Sequence, residues 1–498
     1  MQTAKVASTQ KYLPYTPIDF KEVERQAVIL VKMIENRFNG LVEILLEYES
    51  HEVATDEIAR TLDLLRNLNE NQDYFKLRIG AVASFLPRNQ PLYALTCFVI
   101  VSALMSSEVH FRTPHCMKDF LPKVIEHLDI LKLFPNIIIS PRERIEFLKE
   151  RSALLVDPET EESRPVTDVV IFTGTSSHAD QLRLVFDPRT LFITNGAGHN
   201  PVVVSEDAEE EAAVQAVITL AFYNQGQDCA APNSILVHEK IYDNFMSRLY
   251  KKFDELKVGS YRDHSCRIGP LSNPDDLKYI EALIVDNRQW LDKKTKGIIR
   301  TAEAILEPTI ISKLLKEGGN YEEAFAPILF IQKYAKDEDL DMYFGHPKYA
   351  LNAMYLTLFG ESKYVKSIIG TEVNGKVLHY KDTFLHNTHL HAPGVERGTQ
   401  PYGGYGRGAS SISINGKVIS MPTLPQRDIF KYVVKPILTN EGAGSHNLVL
   451  QRFTQLEVKN VEKRLRLKSL KSNKQDQLKT TNQTYLDTET IKAKKLRF

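Results

Sequence analysis

The chain has 498 residues, 43% of them apolar and 25% charged, a length and balance suited to two or three globular domains with a large core. Its 63 Lys and Arg offset 63 Asp and Glu, so no net field steers it toward nucleic acid, a membrane surface or a polyanionic substrate. No run approaches the roughly 18 apolar residues of a membrane helix, and four scattered cysteines without a CxxC pair argue against a disulfide framework or a structural zinc site.

In chain order, residues 1–19 lack the apolar stretch of a secretory leader and read as an N-terminal extension of a soluble protein in a reducing, cytoplasmic compartment. Residues 18–70 predict a helical hairpin, with apolar residues at three- and four-residue spacing in FKEVERQAVILVKMIENRFNGLVEILLEY and again after His51. A β-like stretch, IGAVASF, leads to the breaker run Leu86-Pro87-Arg88-Asn89-Gln90-Pro91 and then to an apolar helix over 92–104. Val109–Arg112 predicts a second strand, 117–133 a helix, Asn136–Ser140 a third strand, and Asp168–Phe172 a fourth that runs into Thr173-Gly174-Thr175 and a further helix. Strands alternating with helices over 80–200 predict a parallel sheet covered on both faces, a platform suited to a dinucleotide.

Residues 209–223 form an amphipathic helix that delivers the chain to Asn224-Gln225-Gly226-Gln227-Asp228-Cys229, after which a second alternating region runs to about 420. From Arg452 onward 13 Lys and Arg face 5 Asp and Glu among many polar residues, the composition of a basic extension. A cysteine in a Gly-containing turn after a helix is suited to nucleophilic attack, because a thiolate adds readily to a carbonyl.

The segment NQGQDCAAPNSILVHEKIYDNF, residues 224–245, resembles the nucleophile region of the aldehyde dehydrogenase superfamily. In the family's order stand Pro87-Arg88-Asn89-Gln90-Pro91, Phe172-Thr173-Gly174-Thr175, Asn195-Gly196-Ala197-Gly198-His199-Asn200-Pro201, Ile268-Gly269-Pro270-Leu271, Glu323-Ala324-Phe325-Ala326-Pro327 and Pro401-Tyr402-Gly403-Gly404-Tyr405. The resemblance covers roughly residues 18–435. It implies an α/β protein with a Rossmann-like cofactor domain at 20–197 and an α/β catalytic domain at 198–420; a C-terminal return segment at 421–449 follows, and the resemblance leaves the basic tail at 450–498, a mobile extension or an exposed helix, unexplained.

The resemblance also assigns roles. Cys229 is implied as the nucleophile that forms a thiohemiacetal and then a thioester, and Asn89 as the side-chain amide that stabilises the oxyanion. For the cofactor, NAD or NADP, it implies Arg112 and His115 near the adenosine ribose, Gly174 and Thr175 at the phosphate turn, Glu323 on the nicotinamide ribose and Phe325 beside the nicotinamide ring. The family usually carries an acid where this chain has His115, and an acid there repels a 2′-phosphate, so NADP is at least as well matched as NAD.

The departure with most chemical weight is Asn195, 34 positions before Cys229, where hydrolytic members carry a glutamate that activates water. An amide accepts no proton at neutral pH, so general-base catalysis, typically worth about 10²–10⁴-fold, is lost. The expected chemistry is therefore aldehyde oxidation ending in transfer to a thiol such as coenzyme A, or the reverse reduction of an acyl thioester. Two alternatives stand: a hydrolytic enzyme with a substitute base such as Asp228, and a non-catalytic scaffold that keeps the fold.

Asn67–Arg78 leaves little room for the hairpin the family uses in subunit assembly, so the usual oligomer is in doubt and a homodimer stays open. FLKERSALLVDPETEE shows no second Gly-rich phosphate turn, and Ala326 stands where the family commonly has glycine. His386, His389 and His391 lie close enough in sequence to hold a metal, but an ordinary polar loop is the better reading, and no metal is assigned. For the basic tail, contact with RNA is the weaker alternative to a solvated extension.

Overall fold

A computed structural model describes residues 12–157, 161–368 and 397–439, together with the backbone of the short strands Glu372–Val373, Lys376–Val377 and Thr383–Phe384. The predicted helical hairpin is three helices: α1 (Phe20–Asn36), α2 (Phe38–Leu45) and α3 (His51–Arg66). Asp19 caps α1 by accepting from the Lys21 N–H, and Ser50 caps α3 by accepting from Val53, each satisfying a donor that the first turn leaves free. The buried face of α1 is Val23, Ala27, Leu30, Val31 and Ile34, the helical period seen in the sequence. Residues 12–19, expected as an extension, are docked: Tyr15 N–H donates to the Arg78 carbonyl and Pro17 bridges Leu77.

Seven strands form the first sheet. They are β1 (Ile79–Phe85), β2 (Ser106–Arg112), β3 (Ile137–Ile139), β4 (Val169–Thr173) and β5 (Leu191–Asn195), with two late strands, Ser410–Ile414 and Lys417–Ser420. The order is Lys417–Ser420, Ser410–Ile414, β5, β4, β1, β2, β3, parallel from β5 to β3 and antiparallel at the two late strands. The domain boundary at 420 therefore needs correction: 410–420, expected in the second unit, completes the first sheet. Val169 to Phe172 are all buried, as strands covered on both faces must be, and this explains why they read as an unbroken apolar run.

The second sheet has six parallel strands in the order Thr309–Leu314, Ile328–Tyr334, Ile235–His238, Val202–Val204, Leu356–Phe359, Thr383–Phe384. Helix α4 (Glu210–Phe222) packs its Val214, Val217, Ile218 and Phe222 into the core beside this sheet. Chain beyond the late strands returns through Pro425–Ile429, and its Ile429 and Val434 join the first core.

One local expectation differs from the structure and another, the short stretch after Asn67, is met. The single helix over 117–133 is broken into Leu121–His127 and Ile130–Leu133, because Asp129 between them takes a left-handed φ of 45° while its carboxylate receives Arg37 at 3.0 Å. Between α3 and β1 only the tight turn Leu68–Tyr74 appears. A short antiparallel hairpin, Leu154–Val156 with Ser163–Pro165, stands instead just before β4.

Candidate active site

The carboxyl ends of β1, β4 and β5 converge on one cleft of about 880 Å³, counting its open mouth, with Asn89, Thr173, Asn195 and Cys229 in its wall. Asn89 lies in the turn after β1 and is buried. The Tyr48 hydroxyl fixes the preceding residue by donating to the Arg88 carbonyl at 2.8 Å. Gln90 takes a φ of 49° before Pro91 starts the next helix, so the two prolines of the motif bracket a turn that turns the amide inward.

Cys229 follows a second tight turn. Asn224 and Gln225 both sit at positive φ, and Gly226, at φ 78°, passes so close to the Ala326 carbonyl that a side-chain carbon there would stand 2.4 Å from it. Polar side chains then lock this turn from outside. Gln225 donates to the Pro270 carbonyl at 2.7 Å and Gln227 to the Ser272 hydroxyl at 2.7 Å, which gives the Gly269-Pro270-Leu271 motif its role. Asn200 donates to the Cys229 carbonyl at 2.8 Å and to the Ala231 carbonyl at 3.0 Å, which accounts for the His-Asn pair after Asn195.

Asn195 ends β5, and its Oδ1 accepts from the Thr423 hydroxyl at 2.5 Å. Its Nδ2 is buried and has no hydrogen-bond partner, and the residue lines the cleft. The Cys229 Sγ lies 2.7 Å from the Tyr402 hydroxyl and 3.7 Å from the Asp228 carboxylate, whose Oδ1 also accepts the Ala230 N–H at 3.2 Å. Arg60, buried on α3, joins the turns that carry Asn89 and Cys229: it donates to Gln90 at 2.9 Å and to the Tyr223 hydroxyl at 2.7 Å while paired with Asp56 at 2.8 Å. The roles of Tyr402, Thr423 and Arg60 were missed in the sequence; the one available clue was a hydroxyl-bearing ring inside the Pro-Tyr-Gly-Gly motif.

Glu323 and Phe325 line a second, smaller cavity of about 300 Å³ with Gly226 and Asp228, and Asp228 lines both cavities. Burial first, and then the nearby Asp228 charge, push the Glu323 carboxyl up to about 8, with Arg88 opposing. Its Oε1 has no hydrogen-bond partner. Phe325 holds a φ of 50°, and the Arg88 guanidinium lies 5.8 Å from its ring centroid while paired with Asp276 at 2.7 Å.

The remaining expected cofactor residues are not in either cavity. Arg112 ends β2 level with Phe85 of β1 and is 3.8 Å from the exposed Glu143; His115 is exposed in the turn that follows. Gly174 spends its N–H on the Asn195 carbonyl at 3.0 Å, and Thr175 precedes the helix Ser176–Arg183, whose first turn offers backbone donors. All four stand at the carboxyl edge of one parallel sheet. His386, His389 and His391 lie outside the described residues, and among the described residues no group of three or more His, Cys, Asp or Glu could hold a metal. No described helix is long and apolar enough to cross a membrane.

Residues 148–361 match the aldehyde dehydrogenase family. That segment of the chain carries the family's domain. A benzaldehyde dehydrogenase of Bacillus subtilis is 28% identical over 346 residues, 65% of this chain and 67% of the relative. An NADP-dependent succinate-semialdehyde dehydrogenase of Schizosaccharomyces pombe is 32% identical over 184 residues, 36% of this chain and 37% of the relative. Across such curated relatives, the matched part spans from 33% to 67% of their length. The fold is that of the family: an NADP-dependent glyceraldehyde-3-phosphate dehydrogenase from Bacillus halodurans superposes with a TM-score of 0.64 at 18% identity, over 80% of this chain and 84% of that one.

Proposed function

We propose that this protein oxidises an aldehyde through a thioester at Cys229 and passes the acyl group to a thiol such as coenzyme A, or runs the reverse reduction. The observation that carries the acyl-transfer reading is Asn195, an amide in the cleft wall whose Oδ1 is occupied by the Thr423 hydroxyl and which offers no proton-accepting base. Cys229 as thiolate attacks the carbonyl carbon, a C–S bond forms, and the oxygen takes the π electrons. Asn89, whose side-chain amide shares the cleft wall with Cys229, is the donor assigned to that oxyanion, with Asn195 in the same wall. After oxidation the thioester is attacked by a second thiolate, and the Cys229 thiolate leaves. Water as acceptor would need a base, and Asp228, the only carboxylate among the described residues of the cleft wall, accepts the Ala230 N–H.

The nicotinamide half of a dinucleotide, NAD or NADP, suits the second cavity because the buried, unpartnered Glu323 Oε1 is an acceptor suited to a ribose hydroxyl. Glu323 and Phe325 would hold the nicotinamide half, and Arg112, His115, Gly174 and Thr175 the adenosine and phosphate half. Once bound, the cofactor supplies the hydride acceptor for the oxidation. Tyr93, Ala94, Phe98, Leu424 and Pro425 give the cleft a largely carbon wall, which favours an aldehyde or acyl thioester with an apolar or aromatic body.

The test follows reduced nicotinamide with a panel of aldehydes, each with and without coenzyme A. Continuous turnover that requires coenzyme A is expected. Equal rates with and without a thiol, with carboxylic acid accumulating, would overturn acyl transfer in favour of hydrolysis. No reduction of either cofactor under any condition would favour the non-catalytic reading.

A further inference from the structure

Two thiols line the same cleft, and their surroundings differ. Burial pushes the Cys97 thiol up to about 12, against a smaller opposing effect of Tyr93, so it stays protonated. Cys229 instead has the Tyr402 hydroxyl 2.7 Å from its sulfur. A thiolate can only accept a hydrogen bond, so in the ionised form of this pair the tyrosine is the donor.

The hydroxyl is held in place by rigid backbone. Tyr402 and Thr423 exchange two N–H to carbonyl bonds, both 2.8 Å. Gly403 follows at φ 107°, where an added side-chain carbon would stand 2.3 Å from the Ser410 hydroxyl, and that hydroxyl binds both the N–H and the carbonyl of Gly404. The Tyr355 ring closes the other side, edge-on at 6.2 Å. Thr423 is the same residue that orients Asn195. One two-residue bridge therefore sets both the donor at the sulfur and the Asn195 amide in the same cleft wall.

We infer that Tyr402 is a further catalytic residue: its hydroxyl donates to the Cys229 thiolate, favouring the ionised nucleophile and holding the sulfur in line with the cleft. Ionisation sends the thiol proton to solvent, and Tyr402 keeps its own proton throughout. A donor that stabilises a thiolate also tempers its nucleophilicity, so the gain is in the fraction ionised at neutral pH and in aim, not in intrinsic reactivity. The inference rests on Cys229 being the nucleophile of the reading above, yet its test needs neither aldehyde nor cofactor.

The full chain and Tyr402→Phe are alkylated with iodoacetamide over a pH series, with modification of each cysteine followed by peptide mass spectrometry. A hydrogen bond to a charged group is worth about one to two pH units, so the Cys229 midpoint should rise by that amount in Tyr402→Phe. Its limiting rate at high pH should rise about threefold for each unit, which a merely structural role for Tyr402 would not produce. Unchanged rates at Cys97, Cys116 and Cys266 report that the variant is folded. An unchanged or lowered Cys229 midpoint overturns the inference. A raised midpoint in a protein that oxidises no aldehyde keeps the Tyr402 contact and removes the dehydrogenase reading; an unchanged midpoint in an active enzyme does the reverse.

Discussion

The turn that carries Cys229 and the sheet edge that carries Arg112, His115, Gly174 and Thr175 are built on different principles. The cysteine turn is fastened from four sides, by Asn200, Gln225, Gln227 and the close approach of Gly226 to Ala326. At the sheet edge, Arg112 has a 3.8 Å partner that is itself exposed, and His115 is exposed. A group that must meet a carbonyl within a fraction of an ångström needs fixed geometry. Residues that hold a large cofactor by its periphery share the task over many contacts and need less.

This contrast predicts a graded set of effects. Cys229→Ala should abolish turnover, by at least about 10⁴-fold, while leaving the fold intact, since the turn is held by its neighbours and not by the thiol; a progress curve alongside a thermal melt checks both halves. Asn89→Ala should lower kcat by about 10²–10³-fold with little change in cofactor affinity, as expected of an oxyanion donor. If KM for the cofactor moved instead, the division between the two regions would be wrong.

Asn195→Glu introduces a proton acceptor 34 positions before Cys229, and acid release without coenzyme A should rise by about 10²-fold. Chromatography of the products decides it; no rise would mean that water is kept out by something other than the missing base.

Glu323 gives a pH test. Its folded carboxyl is raised to about 8, above its ordinary value, so the folded protein keeps a proton that the unfolded chain has released, and stability falls as pH rises from the ordinary carboxyl range toward 8. Glu323→Gln should therefore raise Tm more at pH near 8 than at pH near 5, where both states bind the proton more fully. The smallest effect is expected at the periphery: Arg112→Ala should weaken NADP binding by about tenfold or less and leave kcat unchanged, measurable by titrating cofactor fluorescence.

The same contrast marks what could be read from the residues alone. The helical period of α1, the apolar run of β4 and the order of six motifs were enough to bring Asn89, Asn195 and Cys229 to one cleft. They are local patterns, and local patterns survive in a sequence. Tyr402 meets Cys229 across 173 positions, through a late strand pair that rejoins the first sheet, and neither the rejoining nor the contact has a local signature. The break at Asp129 escaped for a related reason: its left-handed turn depends on Arg37, far away in sequence.

Asp228 stands in the partition between the two cavities, and its negative charge is one of the two influences that hold the proton on Glu323. Any event on the sulfur side that neutralises or screens Asp228 lowers the energy needed to ionise Glu323 on the other side. By reciprocity, ionising Glu323 makes a second negative charge at Asp228 costlier to keep. The two cavities thus share one carboxylate whose charge is felt on the far side of the wall.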